Sequence, residues 1–118
     1  MITIAIADVN QIYCHGLKTL LEQVEGFEVV LLPVSGFGPE TLNKLPIDIL
    51  LVDEDLFDVF KTTSGKRDMG WPAKKTIVMT MDCQEILAPA RGVEVICKGA
   101  GKREFAEKIM KLIMYVTN

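Results

Sequence analysis

Four residues of this chain carry side chains that suit phosphate chemistry, and each stands at the end of a short apolar run. They are the acids Asp8 and Asp53, the hydroxyl-bearing Thr80 and the amine-bearing Lys98. The runs span residues 2–8, 47–53, 76–80 and 93–98. If these runs are parallel strands, all four side chains meet at the carboxyl edge of one sheet, where open α/β sheets bind ligands. The combination predicts a metal-assisted phosphoryl group on a carboxylate.

The rest of the chain supplies the elements that must position these residues. Helices are predicted at 11–25, 39–45, 83–88 and 102–116, and a further apolar run lies at 27–32. Gly26 stands where the C-cap of the first helix is expected. Alternating helices and nearly all-apolar strands predict an α/β fold, a doubly wound five-stranded parallel sheet covered by helices on both faces. We expect the flavodoxin-like order 2-1-3-4-5, which makes the strands that end at Asp8 and Asp53 neighbours.

The size and composition describe one globular domain over residues 1–118. Hydrophobic residues make up 49% and charged residues 25% of the chain, a balance that argues against disorder. The net charge of -3 gives no basic surface for nucleic acid, and no apolar run approaches the ~20 residues of a membrane span. The three cysteines lack CxxC spacing, which favours reduced thiols over a disulfide framework or a zinc site. We therefore predict a cytoplasmic domain that binds neither nucleic acid nor membrane.

The motifs at the strand ends, taken in order, resemble the CheY-like receiver domains of bacterial two-component response regulators. Residues 6–8 and the Gly-Leu-containing stretch 15–22 look most like the receivers of LuxR/NarL-type transcription regulators. Residues 48–53 are similar to the segment that carries the phosphoacceptor aspartate. Residues 76–80 are similar to the strand that ends in the switch hydroxyl, and residues 95–100 to the strand that ends in the family's lysine. The resemblance covers the whole chain.

The resemblance implies a role for each residue. Asp53 would accept a phosphoryl group from a sensor histidine kinase or a small phosphodonor. Asp8, Asp53 and the backbone carbonyl of Asp55 would hold Mg²⁺, which prefers oxygen ligands. Lys98 would pair with a phosphoryl oxygen, and Thr80 would hydrogen-bond the phosphoryl group and shift when it arrives. The domain would be no enzyme beyond self-phosphorylation and dephosphorylation at Asp53, and would regulate transcription through an effector domain absent from this chain.

Several positions depart from the family pattern. Val9 stands where the family usually has a second acid, so the acid pair that binds metal is degenerate. Val95 replaces the aromatic switch residue, and the usual Met-Pro-Gly loop after the phosphoacceptor is absent. Weak Mg²⁺ binding is the expected result. Glu54 or Asn10 could compensate only if its side chain turns inward.

Other interpretations of the same residues stay open. Asp8 could simply cap the first helix, Thr80 could belong to a turn, and Lys98 could be a solvated loop residue. A pseudo-receiver, which keeps the fold and signals through protein contacts without phosphorylation, is favoured by the lost acid and the lost aromatic. A flavodoxin-type cofactor protein fits poorly, because the acidic segment 8–12 would repel a phosphate.

The helices also suggest where the domain associates. The last helix has a basic outer side that includes Lys108 and Lys111, and the first helix offers Glu22 and Glu25. We predict that a weak homodimer or a partner docks through these two helices, with charge setting the register. Trp71 either anchors a loop to the core or forms part of a partner site.

Overall fold

The computed structural model describes residues 1–35, 46–58, 75–81, 93–98 and 102–117, with the side chains of 102 and 112–117 excepted. The predicted helices at 39–45 and 83–88, and Trp71, lie outside these residues. None of the helices in the described ranges is long and apolar enough to span a membrane.

Five parallel strands form one sheet in the order β2-β1-β3-β4-β5, as the sequence predicts. The strands are β1 (Ile2–Ala7), β2 (Phe27–Leu31), β3 (Ile49–Asp53), β4 (Lys75–Thr80) and β5 (Val93–Cys97). Every residue of β3 is buried, because it lies between β1 and β4 with both of its faces covered. This explains why its sequence is apolar throughout rather than alternating.

Side chains that alternate along the strands divide the core into two clusters, one on each face of the sheet. On one face Ile4 and Ile6 of β1 pack with Leu17 and Phe105 from the helices α1 (Gln11–Leu21) and α2 (Lys102–Thr117). On the other face the core contains Ala5, Ala7, Leu50, Val52, Leu56, Phe57 and Val78. Leu56 and Phe57 belong to the helical segment 54–58. Helical residues therefore cover both faces, as predicted.

The first helix is shorter than the sequence predicts. α1 ends at Leu21 rather than at residue 25. The backbone hydrogen bonds that follow, such as the one from Val24 N to Leu21 O at 3.1 Å, join residues three apart rather than the four of an α-helix. Gly26 is therefore not the C-cap. It has a φ of +95°, which glycine adopts without steric cost, and its carbonyl accepts a hydrogen bond from Ile2 N at 2.7 Å. The turn at Gly26 thus starts the pairing of β1 with β2.

The two cysteines in the described ranges differ, while Cys83 lies outside those ranges. Cys14 on α1 is a free, buried thiol, in agreement with the prediction. Cys97 at the end of β5 is disulfide-bonded, so the prediction of reduced thiols is wrong for this residue. The prediction rested on the absence of CxxC spacing, and a disulfide depends on the distance between two cysteines in space rather than on their spacing in the sequence.

Candidate functional site

The four predicted residues all lie at the carboxyl edge of the sheet. Asp53 and Thr80 end β3 and β4, and Asp8 and Lys98 directly follow β1 and β5. The register pairs Ala7 with Val52, so the next residues along, Asp8 and Asp53, leave neighbouring strands side by side. The Lys98 backbone N–H donates to the Thr80 carbonyl at 2.7 Å, which fixes the start of the segment after β5.

The ammonium group of Lys98 draws the two acids together. Its Nζ donates a short hydrogen bond to Asp8 Oδ2 and lies 3.6 Å from Asp53 Oδ1. Since a salt bridge spans at most ~4 Å, the two carboxylate oxygens are within about 8 Å of each other. Lys98 is therefore a buried counter-ion, not a solvated loop lysine, with its side chain only 7% exposed. The convergence predicted from the topology is present, whereas the roles of these residues in phosphorylation stay predictions.

Both the carboxylate and the backbone carbonyl of Asp8 accept hydrogen bonds. Its Oδ1 accepts a hydrogen bond from Asn10 N at 2.9 Å, while its backbone carbonyl accepts from Gln11 Nε2 at 3.2 Å and Cys14 Sγ at 3.5 Å. The N-cap of α1 is Asn10, whose Oδ1 accepts from Tyr13 N at 3.0 Å. The alternative in which Asp8 caps α1 is therefore wrong. Asn10 is occupied by the cap and does not replace the missing acid.

Thr80 is buried and hydrogen-bonded to an acid that the family pattern does not assign. Its Oγ1 donates to Glu54 Oε2 at 2.5 Å, and Thr80 is only 3% exposed. Glu54 is itself exposed, at the start of the helical segment 54–58. The inward turn of Glu54 that the sequence left open thus occurs, and its side chain accepts a hydrogen bond from the hydroxyl of Thr80.

Sequence reasoning missed Tyr13, which lies beneath Lys98. The ring centroid of Tyr13 is 4.9 Å from Lys98 Nζ, within the range of a cation–π contact, and 5.9 Å from the ring of Phe105 in an edge-to-face arrangement. Its buried hydroxyl has no hydrogen-bond partner among the described residues. Burial, and then the charge of Asp8, raise the pKa of Tyr13, so the phenol stays neutral. The available signal was an aromatic residue in the first turn of the helix that follows β1.

The environment of Asp53 makes its carboxylate more basic than usual. Burial raises the pKa of Asp53, and the charges of Asp8 and Asp55 act in the same direction. The ammonium of Lys98 and a hydrogen bond from the Glu54 backbone oppose this shift without cancelling it. A buried carboxylate beside a cation is suited to nucleophilic attack on phosphorus, since aspartate carboxylates form aspartyl-phosphates.

The arrangement does not fit a bound Mg²⁺ ion as it stands. Val9 is apolar and 58% exposed, and both carboxylate oxygens of Asp8 already accept hydrogen bonds. Asp55 is exposed. Within the described ranges, no three or more His, Cys, Asp or Glu side chains are grouped to hold a metal. Lys98 supplies the positive charge between Asp8 and Asp53 that a divalent cation would otherwise supply.

Comparison with solved structures shows which fold this is. The chain is similar to a CheY-like response regulator receiver domain protein from Methanospirillum hungatei JF-1, with 21% identity, a TM-score of 0.62, and coverage of 98% of this chain and 95% of that one. The fold is that of a CheY-like receiver domain. A receiver domain protein from Bacillus halodurans C-125 gives the same TM-score at 15% identity, covering 91% of this chain and 95% of that one. No protein-family model and no curated protein matches the chain.

Proposed function

We propose that this chain is a response-regulator receiver domain in two-component signal transduction, with Asp53 as the phosphoacceptor. The observation that carries the proposal is the double contact of Lys98 with the buried carboxylates of Asp8 and Asp53. In a receiver fold, this contact occurs at the sheet edge where α/β proteins bind ligands.

The residues around Asp53 support attack on a phosphodonor. An oxygen of Asp53 attacks phosphorus while the bond between phosphorus and the donor breaks, and the histidine of the kinase or the small phosphodonor leaves with that electron pair. The ammonium of Lys98 lies close enough to move from the carboxylate to a phosphoryl oxygen. The hydroxyl of Thr80, buried at the end of the neighbouring strand, would donate to a second phosphoryl oxygen after leaving Glu54. A cation and a hydroxyl donor placed where negative charge develops lower the barrier to phosphoryl transfer.

The phosphodonor is a sensor histidine kinase or another signalling protein, and the output is regulation of transcription through an effector domain outside this chain, as in the LuxR/NarL-type receivers that the motifs resemble. The protein acts in the cytoplasm, where thiols are kept reduced. The disulfide at Cys97 counts against this location, because disulfides are rare where thiols are kept reduced. Thiol labelling in intact cells tests the location, and a Cys97 that stays protected from the reagent would place the protein in an oxidising compartment.

Incubation with acetyl phosphate tests the phosphoacceptor directly. Intact-mass spectrometry should detect one added phosphoryl group on the wild-type chain and none on Asp53→Asn. Assays with and without added Mg²⁺ measure how far the reaction depends on the metal. Phosphorylation of Asp53→Asn to the wild-type level would show that another residue is the acceptor and would overturn the proposal.

The second candidate is a pseudo-receiver that binds a partner without phosphorylation. Val9 in place of an acid and the hydrogen bond of Asp8 to Lys98 favour it, because they leave no convergent metal site in the described part of the chain. The same labelling experiment separates the two functions. A wild-type chain that takes up no phosphoryl group from acetyl phosphate, with Mg²⁺ present, supports the pseudo-receiver.

A further inference from the structure

The hydroxyl of Thr80 is already engaged in the resting protein. Its one proton is donated to Glu54 Oε2 at 2.5 Å, a short hydrogen bond to a charged acceptor. Glu54 directly follows Asp53 in the chain, so it approaches Thr80 from the start of the helical segment 54–58. A phosphoryl group on Asp53 and the carboxylate of Glu54 would therefore both accept a hydrogen bond from the same hydroxyl, that of Thr80.

We propose that Glu54 is a carboxylate latch, which holds the hydroxyl of Thr80 and competes with a phosphoryl group on Asp53 for that donor. The inference rests on the proposed phosphorylation of Asp53 and adds a regulatory residue to it. A hydroxyl has a single proton, so Thr80 cannot donate to Glu54 and to a phosphoryl oxygen at once. Phosphorylation therefore requires that the latch open.

The surroundings of Glu54 allow the latch to open. Glu54 is exposed, so its carboxylate is rehydrated when it leaves Thr80, whereas Thr80 is 3% exposed and its proton keeps an anionic acceptor only when a phosphoryl oxygen takes the place of Glu54. A hydrogen bond to a charged acceptor is about twice as strong as one to a neutral acceptor. The hydroxyl consequently exchanges one anionic acceptor for another, and the release of Glu54 is coupled to the arrival of the phosphoryl group.

Charge acts in the same direction as the hydrogen bond. In the described part of the chain, the two buried carboxylates of the pocket share one cation, Lys98. A phosphoryl group adds negative charge there, and the closed latch keeps the carboxylate of Glu54 beside it. Opening the latch removes this carboxylate from the pocket into water, where its interaction with the phosphoryl group is screened.

Acetyl phosphate labelling of latch variants tests the inference. Glu54→Ala removes the acceptor and the charge, and Glu54→Gln removes the charge but keeps a carbonyl acceptor. At one fixed acetyl phosphate concentration, the ratio of phosphorylated to unphosphorylated chain is expected to rise about tenfold in Glu54→Ala, equivalent to ~1.4 kcal/mol. A smaller rise is expected in Glu54→Gln. The exposed Glu107→Gln, on α2, is the matched control and should behave as wild type.

Repeating the comparison in a Thr80→Val background separates the latch from simple charge repulsion. The latch predicts that the gain from Glu54→Ala is largely lost when the hydroxyl is absent. A gain of equal size in both backgrounds overturns the latch, because Glu54 then acts by charge alone. Equal labelling of wild type and Glu54→Ala also overturns it, while leaving the proposed function standing. If no variant is labelled, the proposed function fails and the latch fails with it.

Discussion

Replacement of Lys98 with Met is expected to remove a large share of the stability of the fold. The side chains of Lys98, Asp8 and Asp53 are 7%, 1% and 12% exposed, and both carboxylates contact the same ammonium. Met nearly preserves the volume and removes the charge, which leaves two buried acids without their counter-ion. Loss of one partner from a buried pair costs ~3–5 kcal/mol. A domain of this kind has only ~5–15 kcal/mol in total.

A surface pair in the same chain provides the matched control. Lys18 Nζ lies 3.1 Å from Glu22 Oε1, one turn along α1, with side chains 34% and 42% exposed. Exposed pairs of this spacing contribute only ~0.3–0.5 kcal/mol, because water and salt screen them. Lys18→Met is therefore expected to cost about a tenth of what Lys98→Met costs, although the same residue type is replaced in both.

Urea unfolding followed by circular dichroism at neutral pH measures the two variants against wild type. A lower midpoint for Lys98→Met at an unchanged slope reports a loss of stability. Burial already raises the pKa of Asp53, and loss of Lys98 removes an influence that lowers it. The deficit should thus be full above the raised pKa and shrink as the pH falls toward the unfolded value of ~3.9. A deficit no larger than that of Lys18→Met would refute the argument from burial.

Three further predictions concern charge. Burial raises the pKa of Asp53 despite Lys98, so the charged carboxylate destabilises the folded state at pH 7. Asp53→Asn should therefore increase the free energy of unfolding at pH 7, by ~1.4 kcal/mol for each unit by which the pKa is raised, and the gain should vanish toward pH ~4. An unchanged urea midpoint at pH 7 would contradict this. Val9→Asp should tighten Mg²⁺ binding in a calorimetric titration, because affinity for hard cations follows ligand charge. Equal binding by the variant and wild type would mean that another acid already binds the metal in place of the missing one. Reversal of the exposed Lys108 and Lys111 to Glu should weaken any self-association in sedimentation; unchanged sedimentation would show that α2 is not the interface.

The strand order and the location of the site could be predicted from the sequence because both depend on the pattern of apolar runs along the chain, which does not depend on the details of single side chains. Apolar runs buried on both faces mark the strands, and alternation with helices leaves few topologies. The end of each run then determines which side chains reach the carboxyl edge. For this reason Asp8, Asp53, Thr80 and Lys98 could be placed together before any distance was known.

The contacts inside the pocket could not be predicted in the same way, because they depend on side-chain rotamers and on single hydrogen bonds. Asn10 rather than Asp8 caps α1, and this choice leaves Asp8 available to Lys98. Glu54 could have extended into water, since it is exposed, yet it accepts the proton of Thr80. Tyr13 reaches Lys98 only because α1 begins at Gln11 and directs the ring toward the pocket.

The pairing of Asp8 with Lys98 joins positions that are 90 residues apart in the chain. During synthesis the two acids leave the ribosome before their lysine, since domains are made from the N-terminus at ~5–20 residues per second. Until β5 docks, the edge formed by β1 and β3 carries two carboxylates whose counter-ion is missing. A nascent chain at that stage keeps these acids hydrated, which disfavours closing the sheet around them. Closure of the sheet edge around Asp8 and Asp53 therefore depends on β5, and a chain that ends before β5 is expected to be less stable than the whole domain.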